Sequence, residues 1–290
     1  MNKEIQLGNH IISKQSSVYI VAELSANHNM DYGRACAIID AAADAGADAV
    51  KIQTYTADTI TIDCNAQEFQ AHGLWEGMNL YQLYQKAYTP WEWQEGLIRY
   101  ANDRGLDCFS SPFDASAVDF LERLHVSAYK IASYEINDIP LIKKAAQTGK
   151  PVILSTGIAR LSDIELAVHA CKEAGNENVI LLKCVSAYPA PAEEMNLRVI
   201  PHMGQTFDCL TGLSDHTLGA ETAVAAAALG AKVIEKHLTL KRADGGVDSA
   251  FSMEQEEFAE MVCQIRRIEK ALGTITYDLN RKQKESRRMS

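Results

Sequence analysis

Apolar residues gather in eight short runs, at positions 18–24, 49–54, 106–110, 128–131, 151–155, 179–184, 209–213 and 233–236, and each run is followed by helical spacing. Runs of this length and composition read as strands buried on both faces. Parallel strands need crossover connections, which helices supply, so the repeat predicts an α/β fold, a (β/α)8 TIM barrel. The helical stretches carry ordinary end signals: the alanine-rich stretch 33–45 stops at Gly46, and 220–229 stops at Gly230. Ser252 with Gln255 three residues on matches a capping box opening the last helix. Its apolar residues Phe258, Met261, Val262, Ile265, Ile268 and Leu272 share one face.

Three segments depart from the repeat. Residues 1–13 form an N-terminal hairpin segment, turning at Gly8-Asn9 and expected to plug the barrel floor. The barrel then spans 14–274, interrupted by a long excursion at 56–88, rich in Tyr and Gln and carrying Trp75. An insertion after the second strand lies on the catalytic side of this fold, where it either shapes substrate access or is a decorative loop. Residues 275–290 are polar, basic and without apolar period, which reads as a linker.

Composition narrows the function classes. With 290 residues and 47% hydrophobic content the chain can bury a sizeable core. Its start has no apolar leader, and the stretch 223–229 is far too short to cross a bilayer, so a soluble cytoplasmic protein without membrane contact is expected. Seven scattered cysteines, with no C-x-x-C, argue against a disulfide framework or structural zinc and suggest buried free thiols. A net charge of −10 argues against nucleic-acid binding. An anionic substrate would therefore need positive charge concentrated locally.

Polar residues at strand ends mark the catalytic face of such a barrel. Lys51 and Lys130 sit inside apolar strands, where an unpaired ammonium is costly. Each either pairs with a carboxylate or helps hold a bound anion. With Ser111, Ser133, Ser186 and Ser214 nearby in the fold, the two lysines together suit a phosphate. Gln53 shares the side of its strand with Lys51. His216 and His237 end adjacent strands at one depth and could hold a divalent metal, with Glu23 or Asp248 and water completing the shell, or act as an acid–base pair. His10, His72, His125, His169 and His202 read as ordinary core or surface residues. The Gly245-Gly246 turn before Asp248 is either a closing loop or a simple turn.

The stretches VAELSANH, GADAVKIQTYT, CFSSPFD, YKIASYEIND, STGI, YPAP, GLSDHTLG and GAKVIEKH, in that order, resemble the sialic acid synthase family across nearly the whole chain. AELSANH, KIQTYT and FSSPFD resemble its pseudaminic acid branch. The resemblance implies a TIM barrel that condenses phosphoenolpyruvate with an open-chain 2,4-diacetamido-trideoxyhexose and water, giving pseudaminic acid and phosphate by C–O cleavage. It implies that Lys51, Ser111, Lys130, Ser133, Ser186 and Ser214 hold phosphoenolpyruvate; many relatives have Asn at Ser186. His216 and His237 would hold manganese, with magnesium or cobalt as alternatives. Glu23, Glu135 and Asp248 would be catalytic, and Gln53 and Tyr188 would contact the sugar.

Family members continue past such a linker into a small antifreeze-like (SAF) domain, which in a homodimer reaches over the partner's barrel and supplies an arginine. The resemblance thus implies that 275–290 leads toward a C-terminal domain absent from this chain. Three rival readings follow: an N-acetylneuraminate or legionaminate synthase, a metal-dependent barrel hydrolase, and a non-catalytic phosphoenolpyruvate-binding barrel without its lid.

Overall fold

The computed structural model describes residues 3–289; residues 1, 2 and 290, the outermost positions of the expected hairpin and linker segments, lie outside it. Strands β1 (Ile5–Leu7) and β2 (His10–Ile12) form an antiparallel hairpin, with Leu7 opposite His10. Eight parallel strands then close into a barrel: β3 (Tyr19–Glu23), β4 (Ala49–Thr54), β5 (Asp107–Pro112), β6 (Tyr129–Ile131), β7 (Val152–Ser155), β8 (Val179–Lys183), β9 (Leu210–Asp215) and β10 (Val233–His237), with β10 pairing back onto β3. All eight coincide with the apolar runs to within a few residues at each end.

The period of two along each strand sorts every side chain. Outward residues such as Ile20, Ala22, Val50, Ile52 and Leu181 join the apolar shell between barrel and helices. Inward residues at the strand starts, including Tyr19, Val21, Phe109, Ile153, Leu182 and Val233, form a separate interior cluster with Ile5, Leu7 and Ile12 of the hairpin. The hairpin therefore does plug the floor. Asp107 fixes it there: its carboxylate accepts from Asn9 N at 3.0 Å, from Asn9 Nδ2 at 2.9 Å and from Tyr19 OH at 2.9 Å, and pairs with His10 Nδ1 at 2.8 Å. Gly8 is obligatory at this turn. Its φ is +57°, and a Cβ there would stand 2.1 Å from Asp107 Cγ.

Two local expectations need correction. The last helix, Gln255–Leu272, is capped by Glu254 with Glu257, not by Ser252 with Gln255. Ser252 Oγ is already committed, accepting from Asn27 Nδ2 at 2.8 Å and donating to Asp248 O at 2.7 Å. The basic segment near the end includes a helix, Arg281–Arg287, opened by Asn280, whose side chain accepts from Gln283 N, and exposed along its length. No helix among the described residues is long and apolar enough to cross a membrane. All seven cysteines are free; Cys108, Cys171, Cys184 and Cys209 are buried, whereas Cys36, Cys64 and Cys263 are only partly so.

Candidate active site

The same alternation that fills the floor with apolar residues lifts charged ones to the top. Continuing inward along the strands, Val21 leads to Glu23, Ala49 to Lys51 and Gln53, Phe109 to Ser111, Ala128 to Lys130, and Ile153 to Ser155. Leu182 leads to Cys184, Leu210 through Gly212 to Ser214 and His216, and Val233 to Glu235 and His237. These side chains surround a cavity of about 590 Å³ at the carboxyl ends of the strands, lined by Glu23, Gln53, Lys51, Lys130, Ser133, Glu135, Tyr188, Ser214, His216, His237 and Asp248 among others. The expected residues thus converge, apart from two at its edge. Ser111 reaches the cluster only through Lys51 Nζ, 3.4 Å away, and Ser186 lies just beside the lining.

Both lysines are ion-paired. Lys51 Nζ is 3.0 Å from Glu23 Oε2 and 3.0 Å from Glu235 Oε1, and Lys130 Nζ is 3.5 Å from the same Glu235 oxygen. Ser214 Oγ donates to that oxygen at 3.2 Å. The alternatives of structural bridge and anion site therefore meet in one cluster, because Glu235 bridges the two ammonium groups. Burial opposes ionisation of Glu235, but Lys130 and Lys51 outweigh it and hold its carboxyl well below the usual range. Burial and the neighbouring Glu235 raise Glu23 instead, against the pull of Lys51. Two lysines and two carboxylates, Glu23 and Glu235, thus meet at the cavity base.

Hydroxyls collect beside this cluster. Ser133 Oγ accepts from Gly157 N at 3.0 Å. Ser155 Oγ and Ser186 Oγ are buried and have no hydrogen-bond partner among the described residues. A Cβ at Gly157 would lie 2.3 Å from Ser186 Oγ and 2.7 Å from Ser133 Oγ, so glycine there keeps the hydroxyls accessible to one another. Unpartnered buried hydroxyls are expensive unless a ligand uses them.

The two histidines meet edge to face with ring centroids 5.4 Å apart, under Phe251 and Tyr188, whose ring lies 4.4 Å from His216. His216 Nδ1 is 3.0 Å from Val185 O, which leaves Nε2 free. His237 Nδ1 is buried without a partner among the described residues. Burial, then His216 and Lys51, push His237 well below the usual imidazole range, so it is a neutral, available donor. The donor pair therefore fits a divalent ion. The carboxylates considered as further ligands are engaged elsewhere: Glu23 with Lys51 and with Gln53 Nε2, which donates to it at 2.8 Å, and Asp248 with Ser25 Oγ, which donates to its carboxylate. Among the described residues no group of three or more His, Cys, Asp or Glu is arranged as a metal cage.

Sequence reasoning missed several participants. Glu235 was hidden inside Glu235-Lys236-His237, where only the strand's period separates the inward Glu235 and His237 from Lys236. The latter faces outward and is buried against Asp215 Oδ2 at 2.7 Å. Ser25, at φ +45°, receives Gln53 Nε2 at 3.2 Å and links it to Asp248; a non-glycine at positive φ on top of a strand is a mark of functional strain. Ser155 ends its strand facing the cavity. Cys184, grouped with inert thiols, lies 3.8 Å from His216 Nδ1; burial pushes the thiol up, but His216 brings it down to about 7. His72, exposed as a surface residue, stands at the cavity rim. The 56–88 excursion is not decorative: Trp75 Nε1 donates to Val247 O at 2.7 Å across the mouth, and helix Leu80–Ala87 (α1) forms part of the wall.

Residues 38–277 match the model of the NeuB family. The chain belongs to that family. This NeuB family member is 44% identical over 284 residues to a pseudaminic acid synthase from Campylobacter jejuni, covering 98% of this chain and 82% of the relative. It is 46% identical over 270 residues to the pseudaminic acid synthase of Helicobacter pylori, covering 93% and 79%. A crystal structure of N-acetylneuraminic acid synthetase from Leptospira borgpetersenii, in complex with citrate, superposes with a TM-score of 0.88 at 34% identity, covering 100% of this chain and 96% of that one.

Proposed function

We propose that this chain is an enzyme condensing phosphoenolpyruvate with an open-chain acylamino sugar and water, releasing phosphate and a nonulosonic acid of the pseudaminic type. The single observation that carries it is the meeting of Lys51, Lys130 and Glu235 with the unpartnered Ser155 and Ser186 hydroxyls and the His216–His237 pair at one cavity. Membership in the NeuB family and relatives named pseudaminic acid synthase favour the same reading.

In this reading Lys51 and Lys130, with Ser111, Ser133, Ser155, Ser186 and Ser214, hold the phosphate and carboxylate of phosphoenolpyruvate. His216 and His237 would hold a divalent ion, manganese being our choice, and that ion would supply Lewis acidity toward the sugar aldehyde. The enol carbon of phosphoenolpyruvate bonds to the aldehyde carbon, and the aldehyde oxygen takes a proton to become a hydroxyl. Water adds at the phosphate-bearing carbon, and the tetrahedral intermediate expels phosphate by breaking the C–O bond, leaving a keto acid. Glu135 orients that water and takes its proton: burial raises its carboxyl to about 7, near the pH at which a base works best. Gln53, linked to Ser25 and through it to Asp248, orients the sugar beneath Tyr188.

A hydrolase reading leaves two buried lysines at the cavity base without a task. The direct test is phosphate release from phosphoenolpyruvate with each candidate sugar in turn. Release with the diacetamido trideoxy sugar, and little with N-acetylmannosamine, is expected; release without any sugar would overturn the reading.

A further inference from the structure

Behind the histidine pair, on the outer side of the same two strands, lies a buried ion pair. Lys236 and Asp215 are register partners across β10 and β9, and each directly precedes one of the histidines, His237 and His216. The histidines line the cavity, so by the period of two the ion pair points the other way, into the shell between barrel and helices. The outward positions before it on the two strands, Leu213 and Ile234, are apolar. Lys236 Nζ donates to Asp215 Oδ2 at 2.7 Å and to Thr217 O at 2.6 Å, and neither charged side chain is more than 1% exposed. Asp215 Oδ1 accepts from Thr217 N at 2.9 Å and from Thr217 Oγ1 at 2.8 Å. Its Oδ2 accepts further from Thr222 Oγ1 at 2.8 Å, in the first turn of the helix Glu221–Ala228.

These bonds bracket His216. The pairing of β9 with β10 ends at Asp215 and Lys236, so no ladder fixes His216 relative to His237. On its far side His216 O accepts from Ala190 N at 3.0 Å, which ties it toward the loop after β8. Toward β10, Lys236 holds the residues on both sides of His216, the Asp215 carboxylate before it and the Thr217 carbonyl after it. A buried ion pair is weak support for a fold, since apolar residues of similar volume often serve as well or better. Its bonds to this turn give it another use.

We propose that Lys236 and Asp215 are positioning residues that set the spacing of His216 and His237 as donors to a divalent cation. Neither residue lines the cavity, and the pair acts through the backbone of the two strands. This rests on the reading of the two histidines as metal donors and adds the residues that place them.

The test compares the wild type with Lys236→Met/Asp215→Leu, which removes both charges together and leaves neither uncompensated. Each metal-stripped protein is melted, then titrated with Mn2+ alone and, separately, with phosphoenolpyruvate. The double variant should melt near the wild-type temperature and keep its phosphoenolpyruvate affinity. Its Mn2+ binding should be weaker by about tenfold or more, the usual loss when the support of a metal ligand is removed. Should the double variant fail to fold, Thr222→Val decides in its place, because it removes one donor to Asp215 and uncovers no charge. Loss of that one bond should weaken Mn2+ binding by about threefold or more. Unchanged Mn2+ affinity in a folded variant, or an equal loss for both ligands, overturns the proposal while leaving the histidines as donors. Mn2+ binding that is absent from the wild type, or that His237→Ala leaves unaltered, overturns the donor assignment and the proposal with it.

Discussion

Glu235 Oε1 lies 3.0 Å from Lys51 Nζ, deep in the barrel, with both side chains almost wholly buried. The same oxygen faces Lys130, so one carboxylate sets the separation of the two cations proposed to grip phosphoenolpyruvate. Removing it leaves two buried ammonium groups with only Glu23 between them. Glu235→Ala should lose about 3–5 kcal/mol of stability, the usual cost of breaking a buried pair from one side. Urea denaturation reads this directly, and a loss below about 1 kcal/mol would mean that water already reaches the cluster.

Lys130 carries the reaction differently from the fold. Burial lowers its pKa and Glu235 opposes that, so its removal lightens a desolvation cost. Lys130→Met should therefore fold well but slow phosphate release by about 10²–10³, the typical effect of losing one such donor. Single-turnover assays at saturating phosphoenolpyruvate would separate this from weakened binding.

Glu135 makes stability depend on pH. Its carboxyl moves from the ordinary 4.5 to about 7 through burial, so between those values the folded protein holds a proton that the unfolded chain has released. Stability on its account falls as pH rises through that window. The side chain keeps some contact with water, which reduces the expected penalty at pH 8 to about 1–2 kcal/mol. Glu135→Gln should be more stable than wild type by that margin at pH 8 and equal to it near pH 4, as measured by thermal melting across the range.

His237 Nδ1 has no partner among the described residues, which suits a metal donor. Calorimetric titration of Mn2+ into metal-stripped protein should show saturable binding that His237→Ala abolishes. Unaltered binding in that variant would remove His237 from the metal site, whatever its effect on turnover.

The barrel was legible because parallel strands buried on both faces leave continuous apolar runs, and the interruptions at Lys51 and Lys130 stood out against them. The hairpin was legible from Gly8, whose positive φ and tight approach to Asp107 demand glycine. Less visible was whatever depends on which side of a strand faces inward among consecutive polar residues, as with Glu235 beside Lys236. Capping at the last helix misled because Ser252 was drawn into a tertiary hydrogen bond with Asn27, leaving Glu254 to cap. The role of the excursion was hidden for a related reason: only the folded chain shows that Leu83 and Tyr84 border the cavity.

The floor offers a check that is independent of catalysis. Gly8→Ala combines positive-φ strain with a clash against Asp107, and should cost about 2–4 kcal/mol while leaving phosphoenolpyruvate affinity unchanged. Equilibrium unfolding together with a binding titration measures both halves of that statement.

The most direct test of the central claim is mass spectrometry of the products formed from phosphoenolpyruvate and a 2,4-diacetamido-2,4,6-trideoxyhexose. Condensation predicts a nine-carbon keto acid in equal amount with inorganic phosphate. Pyruvate and phosphate beside an unchanged sugar, or no reaction at all in metal-replete protein, would contradict it.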